Sequence, residues 1–207
     1  EQDFETILGH YIDLHDAGTA QHLLKVERRN LEVFGYGAKG MTLSMLETAI
    51  QVTDARISAI DDQPGLRTFT VAFPEGFCQD LAIGASVSHD GVCLTVTELS
   101  DAQHAKFDVM QQSLNITTLG QLQVGSPVNV ERAAKDGAEI GGHPLSGHVD
   151  FTGTLVQVRE FDNNYVMRVA VPEPFRRYVF AKGYIAINGA SLTVAEVNRQ
   201  EGWFEVW

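Results

Sequence analysis

The stretch HDGVCLTVTEL, residues 89–99, returns in altered form as INGASLTVAEV at residues 187–197. Aligned on Gly91 and Gly189, the copies stand 98 residues apart, and the offset continues upstream. Val71-Ala72-Phe73-Pro74-Glu75-Gly76-Phe77 falls on Val169-Ala170-Val171-Pro172-Glu173-Pro174-Phe175. The same offset lays Thr48-Ala49-Ile50 on Ser146-Gly147-His148. Each unit is domain-sized, so the chain divides into a preceding segment at 1–47, a first unit at 48–145 and a second at 146–207.

Within a unit the local chemistry reads as antiparallel sheet. Ser86 to His89 and Val92 to Leu99 flank Asp90-Gly91, a two-residue hairpin signal, because both central residues of that turn need positive φ. Asn188-Gly189 is the same device. A second hairpin is expected where Ile57 to Ile60 and Arg67 to Phe73 flank Pro64-Gly65. Further short strands are expected at Ala105 to Met110 and Ser126 to Glu131, and a last one at Trp203 to Trp207, matched to Phe107 to Met110. Closely spaced strands with few helical stretches between them predict small closed barrels.

Alternation along the repeated strand places Cys93, Thr95 and Thr97 on one face and Val92, Leu94 and Val96 on the other. In the second unit Ser191 and Thr193 take the polar face. Two readings of these rows stand side by side: small polar groups set to hydrogen-bond a flat heterocycle, or threonine used as a good strand former.

The composition narrows the partners. A formal net charge of -12 disfavours nucleic acid and anionic membranes. The longest apolar runs, such as TFTVAF at 68–73, are far shorter than the roughly 20 residues of a membrane helix. Cys78 and Cys93 are too few for a disulfide scaffold and lack metal-ligand spacing. The expectation is a cytoplasmic protein with a small-molecule ligand or a protein partner, and no metal.

Read in order, GASVSHDGVCLTVTEL, FDVMQQSLNITTLGQLQVGSPVNVERAAK, EIGGHPLSGH and KGYIAINGASLTVAEV closely resemble riboflavin synthase, over residues 48–207. The resemblance implies a mainly β fold of tandem six-stranded antiparallel barrels, the second incomplete because nothing here corresponds to a second copy of residues 111–145. It implies a cofactor-independent dismutation of two 6,7-dimethyl-8-ribityllumazine molecules, one on each barrel, to riboflavin and a ribitylaminopyrimidinedione. It also implies a homo-oligomer, since the reacting pair in that family meets between subunits. Ser86, Cys93, Thr95, His143, Ser146 and His148 match family positions near the first ligand and the reaction centre. Among them Cys93, Ser146 and His148 are the catalytic candidates. Lys182, Asn188, Gly189, Ser191 and Thr193 match positions around the second ligand.

Three departures keep alternatives open. The family's opening Met-Phe-Thr-Gly-Ile is here Leu46-Glu47-Thr48-Ala49-Ile50; Gln112 and Asn115 replace an acid and an arginine; and the second barrel lacks its last strands. A non-catalytic lumazine- or flavin-binding protein and an inactive fusion or fragment are the two other readings.

Residues 1–47 match nothing in that family and are weakly similar to a segment of haloacid dehalogenase-type phosphatases, without the nucleophilic aspartate. Phe4, Ile7, Leu8, Tyr11 and Ile12, then Ala20 to Leu31, have helical spacing, predicting an α-helical extension. Gly35, Gly37 and Gly40 spell G-x-G-x-x-G. No βαβ unit follows, so a glycine-rich connector is expected there rather than a dinucleotide site. Over residues 41–55 helical spacing competes with the first barrel strand.

Overall fold

The structure, a computed structural model, describes residues 55–135, 137, 143–161 and 164–207. The helices read over 1–47, the glycine pattern and the competing readings before Ala55 lie outside them.

The first unit is an antiparallel barrel. Strands β1 (Ala55–Gln63) and β2 (Leu66–Ala72) form the hairpin expected around Pro64-Gly65, with Gln63 opposite Leu66. Strands β3 (Ser86–His89) and β4 (Val92–Leu99) form the second, and β5 (His104–Met110) joins β4 to β2. Asp90 and Gly91 have φ of 46° and 83°, and Asn188 and Gly189 have 48° and 88°, so both predicted turns take the left-handed conformation their residues favour.

Closure depends on one segment that pairs twice. The strand expected as continuous from Ser126 to Glu131 is broken at Asn129 into β6 (Pro127–Val128), paired with β1, and β7 (Val130–Arg132), paired with β3. The break is clamped by Asp90: its Oδ1 accepts from Asn129 N and Nδ2 at 3.0 and 3.2 Å, and its own N–H donates to Asn129 O at 2.8 Å. Joining both edges removes the unpaired strand groups that an open sheet exposes. Ile57, Phe69, Val71, Val87, Leu94, Val96, Phe107 and Val109 fill the interior. Between β5 and β6 lies helix α1 (Gln111–Ile116), where Gln111 donates to Asn115 at 2.9 Å, a neutral i,i+4 pair.

The second unit repeats this design. Strands β8 (Thr154–Phe161), β9 (Asn164–Ala170), β10 (Tyr184–Ile187), β11 (Ala190–Asn198) and β12 (Trp203–Val206) form a sheet in the order β10-β11-β12-β9-β8. The repeat extends to irregularities: bulges between Ile57 and Ala59 and between Val96 and Glu98 recur, at the same offset, between Leu155 and Gln157 and between Val194 and Glu196. Bulges re-aim a strand, so the two sheets bend alike. One correction concerns β12. Trp203 pairs with Ala170 as His104 pairs with Ala72, and Val206 with Met167. The last strand therefore corresponds to the start of β5, from His104, and not to Phe107–Met110. Relative to the 98-residue offset of the earlier strands, the connection from β11 to β12 carries one extra residue. Among the described residues the sheet has free edges at β8 and β10, and its core is Val171, Val179, Val194, Phe204 and Val206.

On the other face of β12, Glu205 is 2% exposed, and its carboxylate accepts from Arg168 Nε and Arg159 Nη2, both at 2.7 Å. Arg168 also stacks on Trp203 at 3.7 Å. Removing a buried carboxylate strands the cations it neutralised, tempered here because both arginines retain solvent contact. Glu205→Ala is expected to lower stability by about 2 kcal/mol, read as a urea midpoint shift followed by Trp fluorescence. An unchanged midpoint would show the cluster to be ornamental.

No described helix is long and apolar enough to cross a membrane, and among the described residues no three His, Cys, Asp or Glu side chains converge as metal ligands.

Candidate functional site

The repeated hairpin positions its side chains by pairing. In the first unit Ser86 lies opposite Thr95 and Ser88 opposite Cys93. In an antiparallel pair, opposed residues share a face. Val87, His89, Val92 and Leu94 turn into the barrel and are buried, leaving Ser86, Ser88, Cys93 and Thr95 as a row of small polar groups outside it. Ser88 was missed in the sequence, although the two-residue period running from Ser86 indicates it.

The connector between the units completes this row. Cys93 N donates to Gly147 O at 2.8 Å, and a Cβ added at Gly147 would lie 2.7 Å from Cys93 Cβ, so only glycine fits so close to the strand. Ser146 Oγ accepts from His148 N at 3.2 Å, a local turn that carries the exposed His148 past the cysteine. Residues 93 and 146–148 are thus brought together. Cys93 is half-buried, whereas burial pushes the Cys78 thiol up, so Cys93 is the better placed of the two for chemistry.

In the second unit Tyr184 lies opposite Thr193 and Ala186 opposite Ser191. Ser191 and Thr193 keep the places of Cys93 and Thr95, but Tyr184 stands where the first unit has Ser86. His143 reaches this second row: its Nδ1 is 2.9 Å from Ser191 Oγ, and its ring stacks on Tyr184. The resemblance grouped His143 with the first ligand; the structure brings it to Ser191. Asn188 and Gly189 lie at the turn, against Gly91, with a Cβ at Gly189 falling 3.1 Å from Gly91 Cα.

Lys182 has a φ of 67°, a conformation side chains rarely adopt. Its N–H donates to Val194 O at 2.8 Å, and at the same place in the first unit Gly84, with φ 87°, donates to Val96 O at 2.8 Å. Lys182 thus carries a backbone strain that glycine avoids at the matching place in the first unit. Lys182→Gly is expected to leave stability unchanged or raise it by about 0.5–1 kcal/mol. A fall in the melting temperature would assign the lysine a structural role instead.

The chemistry of the site is therefore two polar strand faces, one beside Cys93 and His148, the other beside Lys182 and an aromatic pair. Residues 48–133 and 146–207 match the family model of the lumazine binding domain. The riboflavin synthase of Escherichia coli (strain K12) is 44% identical over 151 residues, 72% of this chain and 70% of that protein. That of Buchnera aphidicola subsp. Schizaphis graminum (strain Sg) is 39% identical over 148 residues, 71% of each. Among solved structures, LumP complexed with riboflavin superposes with a TM-score of 0.63 at 23% identity, over 74% of this chain and 82% of that one. LumP complexed with 6,7-dimethyl-8-(1'-D-ribityl) lumazine gives 0.61 at 22% identity, over 73% and 80%. These two show likeness of fold. With the duplicated barrel strand, the matched domains and relatives of this identity over most of their length, the chain belongs to the riboflavin synthase family of lumazine-binding proteins.

Proposed function

We propose that the chain catalyses the riboflavin synthase dismutation, in which one 6,7-dimethyl-8-ribityllumazine passes a four-carbon unit to another, giving riboflavin and a ribitylaminopyrimidinedione. The observation that carries this reading is the duplicated polar strand face with Ser146-Gly147-His148 seated on Cys93. One unit, 48–145, holds one lumazine through Ser86, Thr95 and the connector. The other, 146–207, holds its partner through Lys182, Asn188, Gly189, Ser191 and Thr193, with His143 against Ser191.

The physical task is to lay two identical flat molecules face to face and remove a proton from a ring methyl group of one, so that the carbanion attacks the other. Most of the acceleration comes from holding the pair in a reactive geometry. His148 is the proton carrier, an imidazole presented by the turn at Ser146. Cys93 contacts the acceptor ring as a polar group or transient nucleophile, and Lys182 balances negative charge that develops on a heterocycle. No cofactor enters this scheme. A neighbouring copy supplying the facing half-site, and a cytoplasmic setting that keeps both cysteines reduced, belong to the same reading.

Incubation with the lumazine and detection of riboflavin fluorescence tests it. His148→Gln is expected to lower kcat about a hundredfold while leaving lumazine binding in place. An unaltered kcat removes His148 from the proton path, and binding by the unaltered protein without turnover favours a carrier of lumazine or flavin over an enzyme.

A further inference from the structure

The two half-sites share one strand plan but differ at a pair of positions by a large aromatic side chain. Where the first unit has the small Ser86 opposite Thr95, the second has Tyr184 opposite Thr193. The ring of Tyr184 is covered on one face. The imidazole of His143 lies over it with centroids 4.2 Å apart and planes within 7°, and Nδ1 of the same imidazole is 2.9 Å from Ser191 Oγ. A flat nitrogen heterocycle is thus already stacked on the tyrosine and hydrogen-bonded to the strand hydroxyl. These are the two contacts a pteridine ring would make on this surface, through its π-face and a ring nitrogen or carbonyl.

That heterocycle comes from the connector. His143 lies four residues before Gly147, which is fixed on Cys93. Tyr184 remains 53% exposed, so the imidazole lies on the platform without sealing it in a core, and an exposed ring exchanges between packings rapidly. Stacking and a hydrogen bond of this kind are worth enough to compete with a ligand but too little to exclude it.

We propose that Tyr184 is the aromatic platform of the second half-site and that His143 competes with the incoming pteridine for it, the ligand displacing the imidazole from both Tyr184 and Ser191. The inference rests on the pteridine-binding reading above and assigns Tyr184 a role that reading does not contain. Ser86 has no ring for an imidazole to stack on, so the half-sites differ in affinity and the first fills before the second.

The test is a fluorescence titration with 6,7-dimethyl-8-ribityllumazine, resolved into its tighter and weaker steps. His143→Ala is expected to tighten the weaker step about three- to tenfold and leave the tighter one alone. Tyr184→Phe, which keeps the ring, should bind as the unaltered protein does; Tyr184→Ser, which copies the first unit, should weaken the second step about tenfold. A weaker step that is unmoved or loosened by His143→Ala overturns the competition and makes His143 a clasp or a ligand contact. As a check that needs no variant, saturation of the second step must shift the His143 ring resonances as they leave the face of Tyr184; unshifted resonances overturn the proposal. Absence of both steps in the unaltered protein is a different failure, because it removes the pteridine reading itself.

Discussion

Gly91→Ala is expected to destabilise the protein by about 2–5 kcal/mol, far more than alanine at an ordinary turn glycine. Two effects add. At a φ of 83° any Cβ is strained, which alone costs about 1–3 kcal/mol. The new methyl group would also overlap the backbone N of Gly189 and lie 2.7 Å from the carbonyl carbon of Asn188, and backbone on both sides of a contact cannot swing aside as a side chain can. Gly65 is the control. It has a similar φ of 78° but nothing within 4 Å of its Cβ position, so Gly65→Ala carries the strain alone. The difference between the two urea midpoints isolates the contact between the hairpin turns. Gly189→Ala should fall between them, since its Cβ would approach Gly91 Cα at 3.1 Å, tight enough to need only a few tenths of an ångström of give. Equal losses for Gly65→Ala and Gly91→Ala would mean that the turns do not bear on each other. Because Gly91 is two residues from Cys93, the same substitution should depress turnover.

The second large effect is acid destabilisation through His89. This side chain is 1% exposed, lies edge-on to Phe107 at 4.4 Å and Phe73 at 6.1 Å, and points into the barrel opposite Ser88 and the polar row. Its Nδ1 is 3.2 Å from Val87 O, which can only accept, so Nδ1 carries the hydrogen; among the described residues Nε2 is buried without a partner. Burial holds its pKa down to about 4, against a smaller upward pull from the Val87 carbonyl. The unfolded chain, with a pKa near 6.5, then binds the proton more readily than the folded one. Stability is unaffected by His89 above pH 7, falls as pH drops through 6.5, and levels off only below about 4, after a loss of about 3 kcal/mol. Urea unfolding at pH 7 and pH 4.5 of the unaltered protein and of His89→Leu checks this. The variant should lose much less between the two pH values and be no less stable at pH 7, because the substitution also removes the unsatisfied nitrogen. Carboxylates such as Asp62, Glu98 and Asp101, held low by hydrogen bonds to Arg67, Lys106 and Gln103 N respectively, are on the exposed surface. They titrate in both proteins and cancel in the comparison. Equal acid loss in the two would remove His89 as the cause.

What the amino-acid sequence determined by itself is the local geometry repeated in each unit. Positive φ at Asp90-Gly91 and Asn188-Gly189, the strands on either side, and the division of Cys93 and Thr95 from Val92 and Leu94 all follow from adjacent residues and a two-residue period. They hold wherever the hairpin is placed. The family was also legible, because its motifs are carried in unbroken runs.

Only the tertiary structure decided the relations across long stretches of chain. The break at Asn129 depends on a clamp by Asp90, which lies 39 residues away. The register of β12 depends on pairing with β9, which sets it against the start of β5 and not against Phe107–Met110. The connector could be assigned wholesale to the first ligand on resemblance; packing divides it, Gly147 against Cys93 and His143 against Ser191. Tyr184 gave no signal as a lone aromatic on a strand, since its role emerges from its alignment with Ser86 and from the ring laid over it. Turn chemistry and alternation are short-range forces that neighbouring residues satisfy alone, whereas these contacts exist only after two separately folded sheets have been brought together and their surfaces excluded from water.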